Sequence, residues 1–152
     1  MYAELHCLSH YSFLRGASAP DELVSRAAHC GYHALAITDE CSLAGVVKAH
    51  VAAKEQGLKL IIGSEFTLTE GIRLVALVPN REAYGELSGL ISRARRRSGK
   101  GEYVVHLRDV IFHLKRCLLI LLPDDTDNQA VHLQQLARLC KDRVWVGVSR
   151  LL

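Results

Sequence analysis

Apolar and polar positions along the first two-thirds of the chain alternate between two periods. Tyr2 to His6 reads as a strand, after which Leu23, Val24, Ala27 and Ala28 recur at the spacing of one helix face. Ser18-Ala-Pro-Asp21 has the hydroxyl, early proline and acidic residue of a helix start, and Gly31 can end that helix, giving about Pro20 to Cys30. HALAITDE, from His33 to Glu40, predicts a short buried strand. Leu43 to Gln56 has helical composition with Gly57 behind it, and LKLIIGSEFTL is a β-branched run that pauses at Gly63-Ser64. Strand, helix, strand, helix, strand is the order of βαβ units, which demand right-handed crossovers and a largely parallel sheet.

The pattern continues more loosely. Thr69-Glu70-Gly71 is a turn into the strand GIRLVALVPN. REAYGELSGLISRARRR is a helix with Tyr84, Leu87, Leu90, Ile91 and Ala94 inward, and SGKGE is a loop. Leu107 to His113 predicts a short helix, CLLILLP a strand, and DNQAVHLQQLARLC a helix opened by Asp127 or Asn128. RVWVGVSRLL closes the sequence with Val144, Val146 and Val148 alternating as in a strand. With no helix after it to cover that strand, truncation of a larger α/β domain is the expectation.

Composition narrows this little. A chain of 152 residues suits one domain, and no apolar run approaches a membrane span, the longest being Cys117 to Leu122. Met1 is followed by none of the features of a secretory signal, so a cytoplasmic protein with no membrane partner is expected. Five widely spaced cysteines without a C-x-x-C pair read as reduced, mostly buried thiols. The net charge of +3 is too small to argue for nucleic acid, but Arg93, Arg95, Arg96, Arg97 and Lys100 crowd one helix end. Such a cluster complements the helix dipole or weakly contacts phosphates; without interleaved aromatics it does not read single strands.

Candidate chemistry collects at the carboxyl ends of the predicted parallel strands, where such sheets place their sites. His6 with Cys7, Asp39 with Glu40, and Glu65 stand there. Imidazole with carboxylates is a donor set for Zn, Mn or Fe, whereas capping and surface roles would account for the same residues without a metal. His10 could stand in for a missing imidazole, and Ser9 and Ser12 suit turn or capping roles.

The stretches ELHCLSHYSFLRGAS, LAITDECSLAGVVKAH, GLKLIIGSEF and RLVALVPNREAYGELSGLISRAR resemble, in the same order, the N-terminal PHP (polymerase and histidinol phosphatase) domain of bacterial DnaE-type DNA polymerase III alpha subunits, nearest the error-prone branch. The resemblance is strongest over residues 2–97. It implies a partial, distorted TIM-like β/α barrel with mainly parallel strands, truncated at the C-terminus. Residues 1–152 would form the N-terminal part of that domain, with palm and fingers absent.

Intact members of the family hold a metal cluster and hydrolyse phosphoesters, and the resemblance implies where ligands should stand in this chain. The opening H-x-H becomes His6-Cys7-Leu8, the acidic position of the LLDG stretch is Arg15, the histidine of TDH is Glu40, and the histidine opening a later strand is Arg73. His6, Asp39 and Glu65 survive, with Glu40 a fourth oxygen donor; the family's later Asp-x-His pair would fall beyond Leu152. The expectation is therefore a vestigial, incomplete site holding no resident cofactor or one residual Zn or Mn ion, in a chain that is itself inactive.

The parent enzyme of the resemblance is a DNA-directed DNA polymerase that carries out translesion repair synthesis with Mg²⁺ on palm carboxylates. Its partners would be the remainder of the polymerase polypeptide, DNA, translesion accessory proteins and a sliding clamp. Two alternatives are a metal-dependent phosphoesterase of the histidinol-phosphatase type, which would need an intact H-x-H, and a free-standing interaction module.

Overall fold

The computed structural model describes residues 1–123 and 129–148. They fall into two compact units, Met1–Ser64 and Glu65–Leu152.

In the first unit the order is β1 (Ala3–Glu4), α1 (Pro20–His29), β2 (Ala34–Ile37), α2 (Val46–Gln56) and β3 (Lys59–Thr67), which runs on into the second unit. β1 pairs with β2 and β2 with β3, both parallel, in the registers Ala3↔Ala34 and Ala34↔Lys59. Every residue of β2 is buried, so ALAI is apolar without alternation, as a strand covered on both faces must be. Val24 and Ala27 of α1 and Ala49, Ala52 and Ala53 of α2 close over Leu35 and Ile37. The alanines let the two helices approach closely.

The α1 start differs from expectation in detail. Ala19, not Ser18, is the N-cap, and its N–H is taken by the Glu22 carboxylate at 2.8 Å. The Ser18 carbonyl instead accepts the His10 N–H at 2.9 Å, which ties the preceding loop to the helix. Val46, not Leu43, opens α2, because Leu43 to Gly45 form a turn in which the Leu43 carbonyl accepts the Val46 N–H. Gly57 then ends the helix in the left-handed conformation at φ +66°.

The second unit contains β4 (Arg73–Val78), α3 (Arg81–Arg96), α4 (Leu107–His113), β5 (Leu118–Leu122), α5 (Gln129–Leu139) and β6 (Val144–Val146). Asn80 caps α3 by accepting the Ala83 N–H at 2.9 Å. Ala83, Leu87, Leu90 and Ala94 make its buried stripe; Tyr84 is exposed and Ile91 half-buried, so the inward face is rotated from the predicted one.

β5 pairs parallel with β6 but antiparallel with β4, with Leu77 opposite Leu118. This departs from a uniformly parallel sheet for a topological reason. β5 begins beside the end of β4, because the connection that contains α3 and α4 returns the chain to that same end of the sheet. Regular strand structure at the end stops at Val146, and Val148 lies outside it. The predicted opening of α5 at Asp127 or Asn128 lies outside the described residues.

Cys41, Cys117 and Cys140 are buried thiols, Cys7 is half-buried and Cys30 exposed. Burial pushes Cys117 up to about 12. Among the described residues, no helix is long and apolar enough to cross a membrane.

Candidate metal centre

In the first unit the chain leaves β1 at Glu4 and turns through His6-Cys7-Leu8. The Glu4 carboxylate accepts the His6 backbone N–H at 2.9 Å. Cys7 is stitched to the end of β2, its N–H donating to Thr38 Oγ1 at 3.0 Å and its carbonyl accepting the Thr38 N–H at 2.8 Å. Burial, followed by the nearby Glu4 and Asp39 carboxylates, pushes the Cys7 thiol up to about 11.

Asp39, the residue two past β2, is 1% exposed. Its Oδ1 accepts the Ser9 backbone N–H at 2.8 Å and the Ser12 hydroxyl at 2.7 Å, and its Oδ2 accepts the Ser9 hydroxyl at 2.7 Å. The Asp39 carbonyl accepts the Ser64 hydroxyl at 2.7 Å. Both serines are buried, and Ser12 Oγ also accepts the Glu40 N–H at 3.0 Å. Glu40 turns its carboxylate to Arg15, with Nη1 2.8 Å from Oε2. The loop His10–Gly16 is thereby fastened to the end of β2 through Asp39 and Glu40. His10 lies on that loop beside Tyr11, with ring centroids 4.6 Å apart.

In the second unit Glu65 is fully buried, and Arg73, on β4, brings Nε to 3.5 Å from its Oε1. Among the described residues no group of three or more His, Cys, Asp or Glu side chains is disposed to hold a metal ion. The clear geometric relations of the candidate carboxylates are with protein donors. Asp39 meets two serines, Glu40 meets Arg15 and Glu65 meets Arg73. Sequence reasoning singled out both arginines but not the serines' hold on Asp39; their signal was two short hydroxyl residues spaced as in a tight turn.

The basic cluster on α3 is similarly engaged. Arg93 Nη1 lies 2.8 Å from His113 Nε2. Arg95 donates to the Gly101 carbonyl at 3.1 Å and sits 5.3 Å over the Tyr103 ring. Arg97 forks onto Asp109, Nη2 lying 3.1 Å from Oδ1 with a second contact from Nη1 to Oδ2. Arg96 and Lys100 are exposed.

Burial would raise the Asp109 carboxyl, but the Arg97 hydrogen bond and the His106 backbone N–H overcome it, and the group is held below the ordinary carboxylate value. Stability from this pair is therefore present above the ordinary carboxylate range and is lost as pH falls through the lowered value. In Arg97→Ala burial is left with less to oppose it. The acid limb of an unfolding-versus-pH curve is expected to move to higher pH; an unmoved limb would remove Arg97 as the cause.

A family model described as PHP domain matches residues 4–138. An error-prone DNA polymerase of Saccharophagus degradans is 57% identical over 152 residues, covering 99% of this chain and 15% of the relative. The error-prone DNA polymerase of Methylococcus capsulatus is 52% identical over 153 residues, covering 100% of this chain and 14% of the relative. The chain thus spans about 15% of the length of the curated relatives it matches. Among solved structures, a candidate metal-dependent phosphoesterase from Bifidobacterium adolescentis has TM-score 0.70 at 17% identity, over 96% of this chain and 76% of that one. An amidohydrolase from Chromobacterium violaceum has TM-score 0.68 at 16% identity, over 95% and 76%. At these identities the two structures share the fold.

Proposed function

The chain belongs to the PHP domain family, and from that premise we propose that it is the N-terminal part of an error-prone DNA polymerase, in which it is a structural domain with a degraded metal site. In this reading nucleotidyl transfer and translesion synthesis belong to the rest of the polypeptide. Mg²⁺, DNA, accessory proteins and the sliding clamp would be engaged there, and the basic cluster of α3 would contribute at most weak phosphate contacts through Arg96 and Lys100.

The observation that supports the structural role is the pairing of candidate carboxylates with guanidinium groups. A metal cluster that hydrolyses phosphoesters needs carboxylate lone pairs directed at the ions and several ligands for each ion. Here Arg15 faces Glu40 and Arg73 faces Glu65, while both oxygens of Asp39 already accept hydrogen bonds. A guanidinium is a fixed positive charge that cannot be deprotonated, so it neutralises a buried carboxylate and repels an incoming divalent ion. The donor set does not fit a multi-ion cluster.

Two measurements test the two halves of this reading. The 152-residue chain, purified without chelator, is expected to carry less than one equivalent of Zn, Mn or Fe by elemental analysis. More than one tightly held equivalent, lost in His6→Ala or Glu65→Gln, would sink the degraded-site half. The full-length polypeptide is expected to extend a primed template with Mg²⁺, and a folded protein that does not would sink the polymerase half.

A further inference from the structure

The loop His10–Gly16 buries Ser12 and holds large apolar side chains outward. Ser9 and Ser12 are buried on Asp39, whereas Phe13 is 84% and Leu14 89% exposed. Leu14 has φ +60°, a left-handed conformation that costs a leucine about 1 kcal/mol. Tyr11, on the same loop, lines a hollow of about 510 Å³ with Val47 and Val51 of α2, rimmed by Asp21, Lys48 and Glu55. Exposed large apolar side chains normally lie on mobile or scattered positions. Here they stand on a loop whose conformation is fixed from beneath by a buried carboxylate.

Resting on the reading of the chain as part of a longer polymerase, we propose that this loop and the adjoining face of α2 form a docking surface for an apolar surface of the same polypeptide outside residues 1–152. An apolar floor with a polar rim is the anatomy of a protein interface, and a preordered loop saves the entropy that docking would otherwise cost. Asp39 would then be a ligand residue converted into the anchor of a contact loop.

The charges argue against DNA as the occupant. Lys48 is paired with Asp21 and Arg15 with Glu40, and Glu55 adds a negative charge, so the patch carries no excess of cations for phosphates. A second copy is disfavoured by concentration. The relatives are several times longer than this chain, and a covalently joined partner acts at an effective concentration of about millimolar.

The test is made on the full-length polymerase with a photoreactive residue, Phe13→p-benzoylphenylalanine. Irradiation without DNA is expected to give a product of monomer mass in which position 13 is joined to a peptide from outside residues 1–152. Adding Leu14→Ser should lower its yield severalfold. Attachment only within residues 1–152, only to a second copy, only to an added primer–template, or nowhere would overturn the proposal. Primer extension by the same preparation separates the two readings. An active enzyme without the cross-link removes only the docking surface, whereas a folded but inactive one removes the polymerase reading whatever the cross-link shows.

Discussion

Asp39→Ala is expected to lower the stability of the chain by about 3–5 kcal/mol in urea unfolding, with added Mn²⁺ or Zn²⁺ giving no rescue and chelator causing no comparable loss in the unaltered protein. The magnitude follows from what the substitution leaves behind. Asp39 is buried, and so are the Ser9 amide and the Ser9 and Ser12 hydroxyls that donate to it at 2.7–2.8 Å. Hydrogen bonds to a charged acceptor contribute about 1.5–3 kcal/mol each, and a buried donor left without a partner costs its desolvation. The hydroxyls can rotate towards other acceptors, but the Ser9 N–H cannot, so the total falls short of three full losses.

Asp39→Asn separates the hydrogen-bonding account from a metal-ligand account. It keeps the shape and one acceptor oxygen, so the hydrogen-bonding account gives an intermediate loss of about 1–2 kcal/mol. If Asp39 instead stabilised the fold by holding an ion, chelator would reproduce the Asp39→Ala loss in the unaltered chain. Amide exchange in residues 9–16 should accelerate in Asp39→Ala, since the loop's inward bonds are the ones removed.

The contrast between what was readable along the chain and what was not follows the distance over which each feature is decided. β2 and the α3 stripe are local: ALAI is an apolar run of strand length, and Leu87, Leu90 and Ala94 repeat at helical spacing. The reversed pairing of β5 is not local, since it depends on how a connection containing α3 and α4 returns to the end of β4. Candidate ligands were identifiable as residue types at strand ends. Their partners were not, because Ser12 lies 27 residues from Asp39 and Arg15 lies 25 from Glu40. The partners of the basic cluster were hidden for the same reason. Sequence displays Arg93 and Arg97 as a run of charge, while His113 and Asp109, which engage them, stand 20 and 12 residues away.

The second large effect is expected at Gly16, where alanine should destabilise the chain by about 3 kcal/mol or more despite being the smallest possible addition. A Cβ placed there would lie 1.9 Å from the Ser9 carbonyl oxygen and 2.4 Å from its carbon. Both are backbone atoms, so no side chain can swing aside and the loop itself must open. Opening it at Ser9 works against the bonds from Ser9 to Asp39 and from the Gly16 N–H to the Ser12 carbonyl at 2.9 Å. The Gly16→Ala and Asp39→Ala losses should accordingly be far from additive, the double variant costing little more than the worse single one, because both release the same segment. Full additivity in urea unfolding would mean that Gly16 and Asp39 hold separate pieces of structure. Coupling would instead show that the glycine closing the loop and the carboxylate beneath it maintain one rigid element, the element that carries Phe13 and Leu14 outward into water.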